Sequence, residues 1–573
     1  MDAGLRTAFT AGYERVCAWA DLLDQINVFP VADADTGRNL VISLAPLHGI
    51  DSEIDSIVRQ LLMSATGNSG NIANSFFSGF LEGDLSKGML SAGRSGRNRA
   101  WHTVVDPQPG TMLTVFDEFV DHFKIPSRNN KDKFYLSLID RLKKAVHSTS
   151  DVLPTNKAAG VVDAGALGIY IFMEGFFSTL VGEGAAFRPV TETFQGKLTI
   201  LSSFKADTED RFCVDTVLVP GADSETSLKK LSEIGDSIVV MRASENLKIH
   251  FHTNKRAAAR EHIQELGRVV QWSEEGIGPQ IKSAKTSTTH AAVRIVTDAA
   301  GSVTRQDARE HAMTLLDSYI IIDGRRLPET LVSPAKLYRS MRKGLRVTTA
   351  QASVFERRQR YDSIISRHRQ ALYLCVGSVY TGNYENVITW KETNDPKNCL
   401  AVVDTMSASG RLGIVALAVA RYANQGHNLE KVIRFSQIAM KQSREYVFLD
   451  RLKYLAAGGR LSKKKGFFGD LLNLKPVITL TDEGAIKAGT VRNRGQQLEF
   501  ALEKLNAALL QTDALSIMLE YSDNRQWVEK NVWREIQDRY PSAHVTLQPL
   551  SLTSGAHMGP GAWGVAFLPY SIH

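Results

Sequence analysis

No uninterrupted apolar run in this sequence approaches the ~20 residues that a membrane-spanning helix needs, so a helical membrane span is not expected. Cysteine is scarce. Cys17, Cys213, Cys375 and Cys399 stand far apart, which argues against a disulfide framework. The first thirty residues mix Arg, Glu and Asp into their apolar pattern, so a signal peptide is not expected and the reading is a cytoplasmic protein. Basic residues are not concentrated, and the formal charge is only +7 over 573 residues, so no nucleic-acid partner is expected. The densest basic run, Lys463 to Lys465 followed by Gly466-Phe467-Phe468, reads as a solvated loop or as a transient contact with a membrane surface. No short-period repeat occurs, which excludes a solenoid.

What is present is an ordinary globular balance, 43% apolar and 23% charged residues, in a chain too long for one core. Residues 1–185 carry helix-period apolar residues, as in LRTAFTAGYERVCAWADLLDQ and FYLSLIDRLKKAVHST, interrupted by the small-residue turns DADTG, ATGNSG, PQPGT and DAGALG. Residues 195–285 change to β-rich runs such as RFCVDTVLV and LKIHFHTN with short helical segments between them. After the linker-like KSAKTSTTHAA, apolar strands alternate with helices over residues 291–573, which predicts a largely parallel sheet. The expected fold class is therefore multidomain: an all-α bundle, a small α/β middle domain and an α/β domain.

Three groups of residues carry chemistry. In NVFPVADADTGRNL, Asn27, Asp33, Asp35 and Asn39 surround a turn whose carboxylates suit a hard cation such as magnesium. Thr36 and Gly37 stand where a helix begins and offer backbone N–H groups to phosphate. Taken alone, an Asp-x-Asp turn is more often a helix cap. In ATGNSG, Gly67, Asn68, Ser69 and Gly70 precede another helix, and PGTMLTV and VVDAGALG repeat the arrangement; four such loops in one helical domain favour a nucleotide site. Second, His250 and His252 alternate along a strand and face one side. With Cys213 they form a zinc-type ligand set, although spacing alone favours two ordinary sheet histidines. Third, VTTAQAS, VGSVYTGNYEN, DTMSASGRLG, YLAAGGRLS and HMGPGAWG place small polar loops beside apolar strands, where open α/β sheets bind ligands. Any one of these loops is also explained by helix capping.

NVFPVADADTG, ATGNSG, PGTMLTV and VVDAGALG, in that order, resemble the Dak fold of dihydroxyacetone kinases and, more closely, the ATP-binding subunit of bacterial fatty acid kinase. The resemblance implies a Dak-like helical barrel or bundle. Asp33 and Asp35 would hold magnesium and act in catalysis with Asn27 as a further ligand, and Gly67 to Gly70, Thr111 and Asp163 would line ATP. FCVDTVLV and GDSIVVMRASENLKIHFHT are similar to the middle domain of the same kinase component, which implies a structural zinc at Cys213, His250 and His252. The C-terminal loops resemble the DegV family of fatty-acid-binding proteins. That implies a carboxylate clamp of Thr349, Ser378 and His557, with Arg460 of the GGR motif meeting the phosphoryl group or the kinase domain.

The match has departures. Ala34 replaces a glycine, Thr66 an arginine and Ala166 a glycine, while Gly377, Thr381 and bulky Tyr380 alter the serine-rich loop. Together the resemblances imply phosphorylation of a fatty acid carboxylate by ATP in one chain, where fusion gives an effective concentration of about mM if the linker spans the sites. A downstream acyltransferase and a second copy of the chain are partners this reading admits. Two other readings stay open: a lipid carrier or sensor with a weakened kinase half, supported by the departures, and a kinase for a small hydroxyketone.

Overall fold

The computed structural model comprises two compact units, Met1–Lys285 and Thr286–His573. It describes the chain from residue 1 to 569 except residues 52, 84–86, 125–130, 183–186, 206–210, 222–227, 229, 244, 277–291, 458–473 and 510–514.

The first unit opens with helices. Asp2 caps the helix Ala3–Ile26 by accepting the N–H of Leu5 at 2.7 Å. That helix buries Phe9, Tyr13, Val16, Trp19, Leu23 and Ile26, a stripe at helical spacing. It packs along Ala164–Val181, which is apolar on every side and therefore takes the centre of the bundle. Ala164–Val181 is also the one described helix long and apolar enough to cross a membrane, a length that Glu174 conceals by interrupting the apolar run. Here the helix is mostly buried in protein, and Glu174, its single acid, pairs with buried Arg15 and accepts the Tyr170 hydroxyl at 3.0 Å.

The rest of this unit is a four-stranded antiparallel sheet in the order Asp236–Ala243, Asn246–Thr253, Phe212–Pro220, Gly267–Gly276. Strand alternation divides its faces. Val214, Leu218, Ile249 and Phe251 pack with Ala259, Ile263 and Leu266 of the helix Arg256–Leu266. The other set, Cys213, Asp215, Lys248, His250 and His252, meets the helical bundle: the Lys248 ammonium donates to the Ala65 carbonyl.

Among the described residues the second unit holds three sheets. Leu400–Asp404, Ala371–Cys375, Arg294–Asp298 and Met313–Leu316 form a parallel sheet, as alternation of strands and helices predicts. The six-stranded sheet corrects the expectation of a largely parallel domain: among its described strands, only Ser516–Tyr521 and His544–Pro549 pair in parallel. For one of these pairs the reason is local. Asp482 and Glu483 alone join Lys475–Thr481 to Gly484–Val491, and so short a connection permits only an antiparallel hairpin. A three-stranded antiparallel sheet of Tyr319–Ile322, Arg325–Pro328 and Val347–Ala350 completes the unit.

Candidate functional site

Loops far apart in sequence converge on one cleft in the first unit, with about 540 Å³ of space partly open to solvent. Asn27 donates to Asp33 Oδ1 at 2.5 Å. Asp35 occupies the cap position of the helix Thr36–Leu44 yet makes no side-chain capping bond, so the common structural use of such an aspartate does not apply. Burial, and then the charge of Asp35, push the Asp33 carboxyl well above the usual carboxylate range. The Asn27 Oδ1 atom is buried with no hydrogen-bond partner among the described residues. Two crowded carboxylates and an orphaned amide oxygen fit a hard divalent cation, which takes oxygen ligands.

Gly67 opens the helix Gly67–Glu82 with φ of +62°, and a Cβ there would lie 2.0 Å from Asn39 Nδ2, so another residue would be strained in conformation and would displace the Asn39 side chain. Asn39, Asn68, Ser69 and Thr36 line the same cleft, as do Thr111 and Asp163. Thr111 and Asp163 also cap their own helices, accepting from Leu113 N at 3.3 Å and Ala166 N at 2.7 Å. Gly37 and Gly70 are not among the lining residues. Added Cβ atoms would lie 2.0 Å from the Ala20 carbonyl oxygen and from Ser43 Oγ, so their smallness serves helix packing.

Two substitutions test the local physics. Ala34, where the resemblance expects glycine, has φ of +56°. The left-handed conformation costs roughly 1–2 kcal/mol for a residue with a Cβ, offset by roughly 0.4–1 kcal/mol of extra glycine entropy in the unfolded chain. Ala34→Gly is therefore expected to stabilise the protein by roughly 0.5–1 kcal/mol in urea titrations; a loss of stability would contradict the strain. Ala166, by contrast, sits in the first turn of Ala164–Val181 and is not among the residues with positive φ, so alanine is accommodated there.

Burial raises the Asp163 carboxyl from 3.8 to about 7, against the lowering effect of the Ala166 and Gly165 N–H groups. Because the folded value lies above the unfolded one, its contribution to stability is full below pH ~4 and is lost as pH rises through about 7. Asp163→Asn keeps the capping oxygen and should flatten that decline by about 4 kcal/mol, read from unfolding free energies at pH 4 and pH 8.

The sheet supplies the facing wall. Cys213 pairs in register with His252, and Asp215 with His250. Cys213, His250 and His252 present ligand atoms within 4.8 Å of one another, close enough for a small inward movement of the side chains to meet a single ion with bonds of about 2.0–2.3 Å. His250 Nε2 and His252 Nδ1 are buried without hydrogen-bond partners among the described residues. Burial, then neighbouring His250 and Arg211, lowers His252 to about 3, which keeps it neutral and able to bind a metal. Burial and nearby carboxylates keep the Cys213 thiol protonated in the absence of a cation. This set fits zinc. It does not stand apart in space, because all three residues line the cleft that holds Asp33 and Asp35.

Sequence reading missed Asp215. Its partly buried carboxylate accepts from Gly67 N at 3.3 Å and Asn71 Nδ2 at 3.3 Å, and lies 3.3 Å from His250 Nδ1. It thereby ties the histidine wall to the ATGNSG loop. Desolvation acts to raise its pKa, but His250, Lys248 and the Gly67 N–H outweigh that and lower it to about 2. Strand period, applied one step beyond Cys213, places it on the same face.

In the second unit Thr349 Oγ1 and His557 Nε2 lie 3.2 Å apart. Ser378 follows the strand Ala371–Cys375; its N–H donates to Asp404 Oδ1 at 3.1 Å and its hydroxyl lies 3.9 Å from Met406 Sδ. Two further residues escaped the sequence reading. Asp404 accepts the N–H groups of both Ser378 and Met406, and buried Asp298 accepts Val376 N at 2.9 Å, Tyr373 Oη at 2.8 Å and Asn383 Nδ2 at 3.0 Å. Both end apolar strands, IVTD and AVVD, and both fix the loop that carries Ser378. Tyr380 is partly buried against the core, its hydroxyl 3.4 Å from the Thr481 carbonyl. Arg460 and the Lys463–Phe468 segment lie outside the described residues.

The molecule thus combines a helical unit whose loops and sheet enclose an acidic, metal-suited cleft with an α/β unit bearing a threonine–histidine pair. Comparison with known families gives three matches in chain order: the DAK2 domain over residues 30–178, the FakA-like middle domain of fatty acid kinase over 209–281, and the DegV family over 292–570. The chain is a fusion of a DAK2 domain, a FakA-like middle domain and a DegV domain.

Relatives include an uncharacterized protein of Staphylococcus saprophyticus, 27% identical over 296 residues that are 47% of this chain and 54% of that protein. Protein YloV of Bacillus subtilis is 26% identical over 299 residues, 47% of this chain and 54% of that one. The chain therefore spans about half the length of these relatives. Among solved structures, a fatty-acid-binding DegV family protein of Thermus thermophilus is 22% identical with a TM-score of 0.45, over 48% of this chain and 99% of that one. DegV of Bacillus subtilis, described as a fatty acid binding protein, is 20% identical with a TM-score of 0.45 over 48% and 99%.

Proposed function

We propose that this chain is an ATP-dependent fatty acid kinase that converts a fatty acid carboxylate to an acyl phosphate. The observation that carries the reading is the convergence of Asp33, Asp35, Gly67, Ser69, Thr111 and Asp163, drawn from four separate loops, on one cleft. In this reading Asp33 and Asp35, with Asn27, hold magnesium, and the helix-opening loops receive ATP. Magnesium bound there supplies positive charge that offsets the triphosphate and the incoming carboxylate. Cys213, His250 and His252 hold zinc, which pins the sheet against the cleft.

Thr349, Ser378 and His557 bind the carboxylate, a role supported by the DegV family match over residues 292–570 and by the Thr349–His557 pair. With a pKa near ~4–5 the carboxylate is ionised at neutral pH and needs no general base, so the chain's task is positioning. Burying the acyl tail contributes about 0.8 kcal/mol per CH₂. We take the protein to work in the cytoplasm, alone or as a homodimer, and to pass its product to an acyltransferase at a membrane surface.

A second reading, a lipid carrier with a weakened kinase half, is favoured by the strained Ala34. ADP release by the purified chain separates these readings and the hydroxyketone alternative. The kinase reading expects release that rises with oleate and is indifferent to dihydroxyacetone. Release driven by dihydroxyacetone, or by neither compound, would reject it.

A further inference from the structure

We propose that Arg38 binds the phosphate chain of the nucleotide, acting as the cleft's fixed cation; this rests on the reading of the cleft as an ATP site. Arg38 lies in the first turn of Thr36–Leu44, three residues after Asp35, and its N–H donates to Asp24 Oδ1 at 3.0 Å, which anchors the root of the side chain. It lines a second space of about 310 Å³ with Asp35, Thr66, Gly67, Cys213 and Glu275, and this space shares Asp35, Asn39, Gly67 and Cys213 with the main cleft.

The charge pattern is lopsided. Carboxylates of Asp33, Asp35, Asp163, Asp215 and Glu275 line the two spaces, and Arg38 is the one lysine or arginine among the described lining residues. Its pairings are loose: 3.6 Å to Asp35 and 3.7 Å to Glu275, against about 2.7–2.9 Å for a formed charge-assisted hydrogen bond. Glu275 is 61% exposed, so that pair is screened by solvent and readily given up.

A guanidinium carries five N–H donors in a planar fork suited to phosphate oxygens. Those of Arg38 are held near the cleft without being consumed. Buried arginines elsewhere contrast with this. Arg357 bonds Asp298 at 3.1 Å and the Asp317 carbonyl at 3.2 Å, and serves structure alone. Thr66, beside Arg38, directs its hydroxyl at Asp215 and contributes no positive charge, so position 38 is where the wall can meet a polyanion.

The test is competition binding on the full-length chain with a fluorescent ATP analogue and magnesium, using ATP, AMP and adenosine as competitors. Arg38→Ala should weaken ATP by roughly tenfold or more while leaving adenosine unchanged and AMP intermediate. Arg38→Lys should retain part of the ATP affinity, and Thr66→Arg added to Arg38→Ala should restore part of it. Equal losses for ATP and adenosine, or a change confined to thermal stability, would overturn the assignment, as would unchanged ATP affinity in Arg38→Ala. A wild-type chain that binds no ATP sinks the ATP-site reading together with this inference. A wild-type chain that binds ATP, with no phosphate-dependent loss in the variant, sinks this inference alone.

Discussion

Replacing Asp33 and Asp35 with asparagine is expected to lower oleate-dependent ATP turnover by about 10³-fold while making the protein no less stable. The two effects have opposite causes. Activity depends on two carboxylates close enough to share a cation, and loss of that charge removes several kcal/mol of transition-state stabilisation. Stability suffers from the same closeness, because burial and the charge of Asp35 push the Asp33 carboxyl well upward. A raised folded-state value means stability is lost as pH rises toward neutrality, so Asp33→Asn relieves a cost there. Its Oδ1 can still accept from Asn27, which preserves the local fold. Turnover and the thermal midpoint measured on the same preparation check both halves. Loss of activity accompanied by unfolding would mean that the aspartates are structural.

The second large effect belongs to the other unit. His557→Ala combined with Ser378→Ala should weaken oleate binding by about 10²-fold, since each hydrogen bond to a charged group is worth about 1.5–3 kcal/mol. ATP binding should be unaffected. The Thr349–His557 contact of 3.2 Å makes Thr349→Val a milder probe, expected to lose about tenfold because the imidazole remains. Isothermal titration with oleate and, separately, with ATP reads the two affinities. Unaltered oleate affinity in the double variant would remove the carboxylate clamp from the account.

Much of the cleft was legible because its residues lie in short loops whose chemistry is local. Asp33-x-Asp35, Gly67 and Asp163 announce themselves within a few positions of a helix start. Strand period puts Asp215 on the face of Cys213, but the part that it and Arg38 take in the cleft was not legible, since it comes from a meeting of segments about 180 residues apart. The same long-range packing brings Cys213, His250 and His252 into the acidic cleft, whereas their spacing described only a sheet face. Gly37 and Gly70 mislead in the other direction: a glycine near a helix start suits phosphate and close helix packing alike, and only the approach of Ala20 and Ser43 distinguishes them.

In the second unit, strand identity followed from apolar runs such as ALYLC and PVITL. Strand direction did not, because buried parallel and antiparallel strands are equally apolar. The two-residue connection at Asp482 and Glu483 was the available signal for an antiparallel pair. Asp298 and Asp404 close two apolar strands and look like strand ends in sequence. Their hydrogen bonds to Val376, Ser378 and Met406 show that they shape the loop beside the proposed carboxylate site.

The most direct measurement is transfer of a γ-labelled phosphoryl group from ATP to oleate by the purified chain, with hydroxylamine added to trap acyl phosphate as the hydroxamate. The account predicts labelled acyl phosphate and oleoyl hydroxamate with the wild-type chain, and neither with Asp33 and Asp35 replaced. ATP consumption that yields only free phosphate, with no hydroxamate at any oleate concentration, would contradict it.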